Sequence, residues 1–364
     1  MVMKKIGNPV VVFVGRLPPP VTGEAITTRF LLEHLRRRGI RLMVVNGSPG
    51  RLNVDTLGHL RKIGAFVYSA LLIIGVGLRR QASVYITVGA NKGMVYSAIL
   101  AALGRIVTGQ VFLHHHSYSY VAAPAIRMKF LCLCAGRKAT HIVICDQMSS
   151  TMKANYARVC RTISLSNASA VSQGDRPNTV STIFNIGHLS NLSMDKGLHI
   201  VIDVLRQLLQ RGVDARLILA GPMASQRARQ MVERARLEFG DRLEYRGFVS
   251  GDAKKRFYRD ISVFLFPTMY PNETQGIVNL EALSMGRPVI AFGRCCIPED
   301  IGEAGGMVVP VGRNFAEMAL PQLMEWSSDR ECLSTASLSA FRRFDLLRER
   351  ALDQLEAFCE MIGK

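Results

Sequence analysis

The chain has 364 residues, of which 48% are hydrophobic and 20% are charged. This length is typical of two domains, and this composition excludes a globally disordered chain. Lysine and arginine number 46 and aspartate and glutamate 28, so the formal net charge is +18. Such an excess indicates an anionic partner: nucleic acid, acidic lipid or a phosphorylated substrate. A single tryptophan and few interleaved aromatic residues disfavour a nucleic-acid platform, so we expect no nucleic-acid partner.

The cysteines and the N-terminal residues bear on the compartment. The eight cysteines contain no C-x-x-C pair, so neither a zinc site nor a thioredoxin-like motif is expected, and a reducing cytosol is the simpler interpretation. The apolar run Val10–Val14 is short and leads into three prolines, which predicts a first β-strand rather than a signal peptide. We expect a cytoplasmic protein, with a peripheral location on the inner face of the cell membrane as the alternative.

The first half of the chain alternates strand and helix patterns. A strand at Val10–Val14, a helix at Ala25–Arg38 and a strand at Ile40–Val45 form a βαβ unit of the dinucleotide-binding type, although the unit lacks G-x-G-x-x-G. This alternation predicts a parallel sheet covered by helices. The further predicted elements are strands at Val84–Val88, Ile142–Cys145 and Thr162–Leu165 and helices at Met94–Leu103 and Met152–Tyr156.

Residues 57–80 show a long helical pattern with an apolar middle, Ile63–Leu78. A helix needs about 20 apolar residues to span a bilayer, so we expect this run to be too short to cross a membrane. The favoured interpretation is a core helix of the N-terminal domain. The alternative is a surface that docks on an anionic membrane, because basic pairs at 61–62 and 79–80 flank the apolar segment.

Three consecutive histidines lie where the next predicted strand, within Gln110–Tyr118, emerges into a loop. The period of two residues in a strand places His114 and His116 on one face and His115 on the other. No carboxylate lies nearby in the sequence, and neighbouring strand residues point in opposite directions, so we expect no metal site. A buried histidine that hydrogen-bonds the backbone is the alternative to a functional role.

A polar, turn-rich segment at 168–180 is the best candidate for an interdomain linker. After it the alternation of strands and helices restarts, which predicts a second parallel sheet. The predicted strands are Thr182–Leu192, Arg216–Ala220 and Leu243–Val249, and the predicted helices begin at Leu198 and Asp252.

The most informative stretch lies between two apolar strands, Val263–Pro267 and Val289–Phe292. A loop after the first strand leads to Gly276, where a helix begins, and the N-terminus of a helix suits a phosphate. Glu273 lies in the loop and Glu281 in the helix, and a diphosphate would repel both carboxylates, so their expected partners are neutral hydroxyls. A ligand with phosphates in the middle and polyols at both ends is a nucleotide-sugar.

Seven residues separate Glu273 from Glu281, and Ala-Leu-Ser-Met-Gly-Arg-Pro-Val-Ile-Ala follows. This pattern resembles the signature of the retaining glycosyltransferases of family 4, which have the GT-B fold. The resemblance implies an α/β chain of two Rossmann-like parallel-sheet domains that face each other across a cleft, with a C-terminal helix that crosses back to the N-terminal domain. The corresponding segments are an acceptor-binding domain at 1–168, a donor-binding domain at 180–340 and a crossing helix at 345–364, which contains the amphipathic stretch Ala351–Ile362.

The resemblance also implies which residues bind the donor. Glu281 is expected to hold the ribose hydroxyls and Glu273 to face the sugar ring. Lys196 is a compact cation suited to phosphate. The family has an arginine five residues earlier, where this chain has Asn191, so either Asn191 hydrogen-bonds the donor instead or the donor charge is met differently. The remaining donor-binding candidates are the amides of Thr274, Gln275, Gly276, Ile277 and Val278 for the diphosphate, Phe248 and Val249 at the nucleobase edge, and Gly23 in the first loop.

The predicted activity is transfer of a hexose from a nucleoside-diphosphate donor to a hydroxyl of a glycan or lipid-linked acceptor, with retention at the anomeric carbon, in cell-envelope or exopolysaccharide biosynthesis. The expected catalytic residues are Glu273, Lys196 and His116, with His114 as the second choice for the histidine that faces the donor sugar. Lys196 and the helix N-terminus near Gly276 would stabilise the leaving diphosphate. The sequence contains no Asp-x-Asp, so we expect neither a catalytic metal nor another cofactor.

Two other functions stay open from the sequence. The same architecture suits a nucleotide-sugar epimerase, which needs no acceptor, or a phosphorylase, which needs phosphate. A non-enzymatic basic protein that binds membrane or nucleic acid would explain the charge of +18 but not the pair of glutamates.

Overall fold

The computed structural model describes residues 10–48, 56–77, 82–91, 93–175 and 183–363. The chain divides into two compact units: the first comprises Met1–Ala170 and Ala351–Lys364, and the second comprises Val171–Arg350. Each unit is built on its own six-stranded parallel sheet with helices around it. The predicted α/β class with two parallel sheets is therefore confirmed.

The first unit contains a sheet in the spatial order β2-β1-β3-β4-β5-β6. The strand β3 is buried along its whole length, which explains why its sequence is a continuous run without strict alternation. Phe13 and Tyr85 stack at the sheet centre with ring centroids 4.3 Å apart. The elements are the strands β1 (Val10–Gly15), β2 (Arg41–Asn46), β3 (Ala82–Thr87), β4 (Val111–His114), β5 (Thr140–Val143) and β6 (Arg161–Ser164), and the helices α1 (Gly23–Arg37), α2 (Thr56–Gly77), α3 (Gly93–Val107), α4 (Ser119–Ala122), α5 (Ile126–Ala135) and α6 (Asp146–Asn155).

The second unit contains a sheet in the spatial order β12-β11-β10-β7-β8-β9. Counted from β7 as the first strand, this is the order 3-2-1-4-5-6 that nucleotide-binding Rossmann sheets have. The elements are the strands β7 (Phe184–Leu189), β8 (Ala215–Ala220), β9 (Leu243–Tyr245), β10 (Val263–Phe266), β11 (Val289–Phe292) and β12 (Gly306–Val309), and the helices α7 (Leu198–Gln210), α8 (Gln226–Phe239), α9 (Gly251–Asp260), α10 (Ile277–Ser284), α11 (Ile297–Ile301) and α12 (Phe315–Ser328).

The last helix, α13 (Arg330–Ile362), has 33 residues and begins well before the predicted residue 345. Its first part contains neither glycine nor proline, so nothing in the sequence interrupts the helix there. Leu355, Phe358 and Ile362 pack into the core of the first unit, around β1 and α1. The amphipathic pattern at Ala351–Ile362 thus marks the buried end of a longer helix.

Helix α2 corrects the expectation about residues 57–80. It has 22 residues, and its stretch Gly58–Gly77 is long and apolar enough to cross a bilayer, so the prediction that the run is too short was wrong. Only 22% of that apolar stretch is buried, so the favoured interpretation as a core helix was also wrong. Most of this helix is exposed, and the alternative, docking on an anionic membrane, stays a prediction. The basic pair at 79–80 lies outside the described residues.

Two further predicted segments differ from the observed ones. The proposed linker 168–180 begins with a 3₁₀ turn, Asn167–Ala170, and its residues from 176 onward lie outside the described residues. The strand predicted at Leu243–Val249 ends at Tyr245, because Gly247 has a φ of +65° and turns the chain out of the sheet.

Candidate functional site

The candidate site lies at the carboxyl edge of the second sheet. The first strand of this unit, β7, pairs with β8 on one side and with β10 on the other, so the strand order reverses between β7 and β10. Ligands of parallel α/β sheets bind outside the carboxyl ends of the strands at such a switch point. The loop after β7 carries Lys196 and the loop after β10 carries Glu273, so the topology places both predicted residues at this point.

Lys196 and Glu273 form an ion pair between the two loops. The carboxylate of Glu273 also accepts a hydrogen bond of 3.3 Å from the Thr268 hydroxyl. The Lys196 ammonium lies 4.6 Å from the ring centroid of Tyr270, an additional cation–π contact. The side chains of Lys196 and Glu273 are 19% and 12% exposed, so the pair is mostly shielded but still open to a ligand.

A glycine lets the two loops approach each other closely. Gly197 caps α7 with a φ of +82°, and a Cβ at this position would lie 2.3 Å from the carbonyl oxygen of Pro267. Only glycine meets both conditions. The Met269 amide also donates a hydrogen bond of 2.7 Å to the Asp195 carbonyl, which ties the second loop to the first. These contacts fix Lys196 beside Glu273.

The loop after β10 ends at the N-terminus of α10. Gly276 caps this helix with a φ of +64°, and a Cβ there would lie 2.8 Å from the Phe266 ring. Thr274 and Gln275 are buried, and the Thr274 carbonyl accepts a hydrogen bond of 3.1 Å from the Cys296 amide. The first amides of a helix have no carbonyl partner within it and present the positive end of its dipole. The segment Thr274–Val278 therefore has the local structure that a diphosphate requires.

The buried carboxyl of Asp300 contacts this loop. The Gln275 side-chain amide donates a hydrogen bond of 2.9 Å to Asp300. Burial raises the pKa of Asp300 from its ordinary value of 3.8 to about 8, although the hydrogen bond from Gln275 acts in the opposite direction. At neutral pH the Asp300 carboxyl is therefore protonated and uncharged. It holds the Gln275 side chain in place through this hydrogen bond. No periodic pattern or motif in the sequence indicates this role of Asp300.

Glu281 lies one turn into α10 and has two partners on α9. The Tyr258 hydroxyl donates a hydrogen bond of 3.0 Å to one carboxylate oxygen, and Lys254 forms an ion pair with the other. The same hydroxyl lies 3.1 Å from the Val278 carbonyl oxygen. Burial and the neighbouring charge of Glu281 raise the pKa of Tyr258 well above its ordinary value, so Tyr258 stays a donor. Sequence reasoning missed Lys254 and Tyr258, although their spacing of four residues in a helix places both on one face.

The other predicted donor residues of this unit lie in loops at the same sheet edge. Phe248 is 66% exposed and Val249 half-buried, in the loop after β9, where the Gly247 carbonyl accepts a hydrogen bond of 2.7 Å from Gly221. Asn191 is exposed in the loop after β7. Among the described residues, none hydrogen-bonds the Asn191 side chain. Whether Asn191 hydrogen-bonds the donor, or the donor charge is met differently, stays a prediction.

His188 is a functional candidate that the sequence did not single out. It is fully buried in β7, with one ring nitrogen 2.9 Å from the Leu265 carbonyl and the other 2.9 Å from the Ser190 hydroxyl. Burial lowers the pKa of His188 to about 4, and the nearby Lys196 charge acts in the same direction. The neutral ring links β7 to β10 directly beneath the loops of the site.

The predicted histidines belong to the first unit. The rings of His114 and His116 lie on one face with centroids 4.0 Å apart, and His115 points to the other face and contacts His141 at 2.9 Å, as strand alternation predicts. The Tyr85 hydroxyl lies 2.6 Å from His114. Burial lowers the pKa of His116, so His116 is a neutral hydrogen-bonding group, and its role toward a sugar stays a prediction.

Gly23, the predicted first-loop residue, also belongs to the first unit, where it is the exposed first residue of α1. The preceding Thr22 caps the helix by accepting a hydrogen bond of 3.2 Å from Ala25. The next residue, Glu24, forms an ion pair of 3.1 Å with Arg16. The predicted contact of Gly23 with the donor stays a prediction.

Residues 182–323 match the protein family described as Glycosyl transferases group 1. The matched segment contains all six strands of the second sheet together with Lys196, Glu273 and Glu281. The family match and the geometry thus concern the same part of the chain.

Two curated relatives are similar over part of their length. The putative colanic acid biosynthesis glycosyltransferase WcaL of Salmonella typhimurium is 34% identical over 147 residues, which are 38% of this chain and 35% of that protein. The GDP-mannose-dependent alpha-(1-6)-phosphatidylinositol dimannoside mannosyltransferase of Mycobacterium tuberculosis is 34% identical over 125 residues, which are 33% of this chain and 30% of that protein. The chain therefore spans about a third of the length of these relatives.

A solved structure matches nearly the whole chain. HepE from Anabaena, crystallised in complex with UDP and glucose, matches with a TM-score of 0.67 and 18% identity over 96% of this chain and 100% of that one. The chain is therefore a GT-B-fold protein, and its second unit is similar to group 1 glycosyl transferases. The resemblance to GT-B glycosyltransferases is confirmed, and the assignment to family 4 stays a prediction.

Proposed function

We propose that this protein is a retaining, metal-independent glycosyltransferase that moves a hexose from a nucleoside-diphosphate donor to a hydroxyl of a glycan or lipid-linked acceptor. The observation that carries the proposal is the meeting of Lys196, Glu273 and the N-terminus of α10 at the switch point of the second sheet. A cation, a carboxylate and the positive end of a helix dipole in one place suit a ligand that joins phosphates to a sugar.

In this reaction Lys196 would exchange its ion pair with Glu273 for one with the donor diphosphate. In the structure its ammonium pairs with Glu273. A donor diphosphate carries more negative charge than one carboxylate and would compete for the ammonium. Glu273 would then be free to accept hydrogen bonds from the sugar hydroxyls. As the glycosidic bond breaks, negative charge grows on the leaving diphosphate, and Lys196 and the amides of Thr274–Val278 would stabilise that charge.

Glu281 would hold the other end of the donor. Its two carboxylate oxygens accept from Tyr258 and Lys254, which fixes the carboxylate in one orientation. Each oxygen has a further lone pair that can accept from a ribose hydroxyl. The exposed ring of Phe248 and the half-buried Val249 lie in the loop after β9 and are our candidates for the nucleobase edge.

The relatives support a place in cell-envelope or exopolysaccharide biosynthesis. One is described by colanic acid biosynthesis and another by transfer of mannose to a phosphatidylinositol dimannoside. We infer an acceptor of this general kind for the present chain, at the cytoplasmic side of the membrane. Retention is inferred from the family resemblance, and independence of metal from the absence of Asp-x-Asp in the sequence.

The test is a transfer assay with the full chain, a panel of UDP-, GDP- and ADP-sugars and a lipid-linked oligosaccharide extract as acceptor. We expect one donor class to release its nucleoside diphosphate only when acceptor is present, in EDTA as well as in Mg²⁺, and proton NMR of the product to show the donor's anomeric configuration. Glu273→Gln should lose transfer, whereas Glu233→Gln, an exposed change in α8, should keep it.

Three results would contradict the proposal. Conversion of the donor without acceptor would indicate an epimerase, and transfer that requires inorganic phosphate would indicate a phosphorylase. No turnover and no nucleotide-sugar binding, with membrane or nucleic-acid binding that disappears at moderate salt, would indicate the non-enzymatic alternative.

A further inference from the structure

The second unit has a cavity of about 780 Å³ that residues of α7, α8 and α12 line together. Helix α7 packs against both of the other helices. Lys196, Glu273 and Glu281 are not among the lining residues, so this cavity is separate from the candidate donor site. Its volume falls within the range of about 300–1,000 Å³ that is usual for sites of small molecules.

Helix α8 contributes a basic face to this cavity. Arg227, Met231, Arg234 and Glu238 line it and follow one another at intervals of three or four residues, so they share one face of the helix. Both arginines are exposed. Arg313, in the loop between β12 and α12, is a further exposed arginine of the lining.

The acidic residues of the cavity do not balance these three arginines. Asp203 and Glu238 line the cavity, and both carboxylates pair with another arginine, Arg206. Glu238 accepts two hydrogen bonds from Arg206, of 2.7 and 2.9 Å. Among the described residues, none forms an ion pair or a hydrogen bond with the side chains of the three arginines at 227, 234 and 313. The cavity thus has cations without a counter-ion.

His199 adds an uncharged polar group to the lining. It is half-buried in the first turn of α7, and its Nδ1 has no hydrogen-bond partner among the described residues. Burial and the Arg227 charge lower the pKa of His199, and Asp203 acts in the opposite direction. The imidazole is therefore neutral at neutral pH and has hydrogen-bonding capacity to spare.

The cavity also has an apolar part. Phe292 and Phe315 are buried in its lining, with ring centroids 5.0 Å apart. Met231 is half-buried, and Met269 is 42% exposed. Methionine side chains adapt their shape to what they contact. A ligand that joins an anionic group to a larger body therefore matches this lining better than an inorganic anion does.

The arginines favour phosphate as the anionic group of the ligand. A guanidinium binds phosphate through paired, nearly parallel hydrogen bonds, and each of these is stronger than a hydrogen bond between neutral groups. Several arginines without carboxylate partners leave such hydrogen bonds available. A sugar phosphate or a nucleoside monophosphate has this group together with a ring-bearing body.

Two lining residues connect the cavity to the loops of the donor site. His199 lies three residues after Lys196. Met269 lies in the loop after β10, and its amide donates a hydrogen bond of 2.7 Å to the Asp195 carbonyl. A ligand in the cavity would therefore contact both of the loops that hold Lys196 beside Glu273.

We propose that the cavity lined by α7, α8 and α12 is a second ligand site, which binds a small phosphomonoester with a sugar or nucleoside body and thereby changes the affinity of the donor site. Arg227, Arg234 and Arg313 bind the phosphate, and the two methionines contact the body. The effect on donor affinity rests on the proposed function, whereas binding in the cavity does not.

The test is ¹³C-methyl NMR of the full chain, labelled at its methionine methyl groups, with glucose 6-phosphate, AMP and inorganic phosphate as probes. Met231→Leu and Met269→Leu assign the two signals that report on the cavity. We expect glucose 6-phosphate or AMP to shift both signals with saturation, and to bind about tenfold more tightly than inorganic phosphate does. The organic probe that binds more tightly identifies the sugar or nucleoside body.

Two variants locate the binding site of the probe. The double variant Arg227→Ala/Arg234→Ala should weaken binding of the organic probe about tenfold or more, because it removes charge-assisted hydrogen bonds. Its matched control is Arg229→Ala/Arg236→Ala, two exposed arginines of the same helix that do not line the cavity. This control should bind as the wild type does.

The donor site is kept apart by a third variant and by a second titration. Lys196→Ala should keep the binding of the organic probe, because Lys196 does not line the cavity. With the probe at saturation, the Kd of UDP or GDP for the wild type should change about fivefold or more, the usual lower range of coupling between two sites.

Four results would overturn the inference: no shift of the two signals with either organic probe, affinity equal to that for inorganic phosphate, unchanged affinity in Arg227→Ala/Arg234→Ala, or loss of binding in Lys196→Ala. An unchanged Kd of the nucleotide would overturn the effect on donor affinity. If neither UDP nor GDP binds while the probe still shifts both signals, the transferase proposal fails and the second ligand site stands.

Discussion

The switch point between β7 and β10 and the switch point between β1 and β3 are equivalent places in two parallel sheets, and they differ in how their charges are paired. In the second unit each lysine of the site has a carboxylate partner, Lys196 with Glu273 and Lys254 with Glu281. In the first unit Lys62 has no such partner among the described residues, and exposed apolar side chains begin beside it.

Equivalent places in two parallel sheets can therefore suit different classes of ligand. Paired charges whose carboxylate oxygens keep a further lone pair suit a ligand that alternates phosphates and hydroxyls, because each group of the ligand finds an opposite or neutral partner. An unpaired cation next to an apolar surface suits an amphiphile with one anionic group. Single substitutions at one member of a pair, at one glycine or at one buried acid test this difference.

The largest effect should follow from removal of the Lys196 ammonium. Lys196→Ala should lower kcat about 10²–10³-fold, because loss of one group that stabilises transition-state charge has this magnitude. Steady-state kinetics with the donor found in the panel measures it. Lys255→Ala, an exposed lysine on α9, should keep wild-type kcat. Near wild-type kcat in Lys196→Ala would show that the pair with Glu273 is only structural.

The close approach of the two loops is tested by Gly197→Ala. Gly197 has a φ of +82° and a Cβ there would lie 2.3 Å from the Pro267 carbonyl oxygen, so we expect a loss of about 3 kcal/mol in the free energy of unfolding. Gly212→Ala is the matched control, because its φ is +77° and its Cβ would have no neighbour within 4 Å. Urea unfolding should show about 1 kcal/mol for the control. Equal losses would mean that the loop contact is not tight.

Some residues of this site could be predicted from the sequence and others could not. Lys196 and Glu273 lie in loops that follow apolar strands, and Glu281 lies in the helix after the second loop. The strand pattern predicted these loops, and the resemblance to the family 4 signature implied the roles of the three residues. The partners of Glu281 could not be found in this way, because Lys254 and Tyr258 come from α9 and meet α10 only through tertiary packing. Asp300 is similar, since its contact with Gln275 joins two segments that no sequence pattern connects.

The sequence predicted the two sheets more accurately than it predicted which helices are buried. Alternation of apolar strands and helices predicted both parallel sheets. The burial predicted for α2 was wrong, because an apolar helix has the same sequence pattern whether it is buried or exposed. Its burial depends on which other elements pack against it. The early start of α13 at Arg330 was missed for a similar reason, since its first part lacks a strong amphipathic pattern.

A moderate effect should follow from a change of Glu281, which we expect to bind the ribose of the donor. Glu281→Gln should weaken nucleoside-diphosphate binding about tenfold, because hydrogen bonds to a charged group contribute about 1.5–3 kcal/mol. Tyr258→Phe should weaken it less, since Lys254 still holds the carboxylate. Isothermal titration measures both, with Glu317→Gln on the exposed start of α12 as control. Unchanged affinity in Glu281→Gln would remove this residue from the donor site.

The smallest effect concerns the buried acid beneath the α10 loop. The pKa of Asp300 is about 8 in the folded chain and 3.8 ordinarily, so between these values the folded chain holds one proton more than the unfolded chain. The free energy of unfolding should therefore fall as pH rises from 6.5 to 8, by at most about 1.4 kcal/mol per pH unit. Asp300→Asn should show a flatter dependence, and Asp241→Asn, an exposed change, should keep the wild-type slope. Parallel wild-type and Asp300→Asn curves would show that Asp300 is ionised.

The most direct test of the central claim is isothermal titration of UDP and GDP into the wild type, Lys196→Ala and Lys255→Ala at low ionic strength. We expect that one of the two nucleotides binds the wild type and Lys255→Ala with equal affinity and binds Lys196→Ala at least tenfold more weakly. Absence of binding to the wild type by either nucleotide, or equal affinity in all three proteins, would contradict a diphosphate site between β7 and β10.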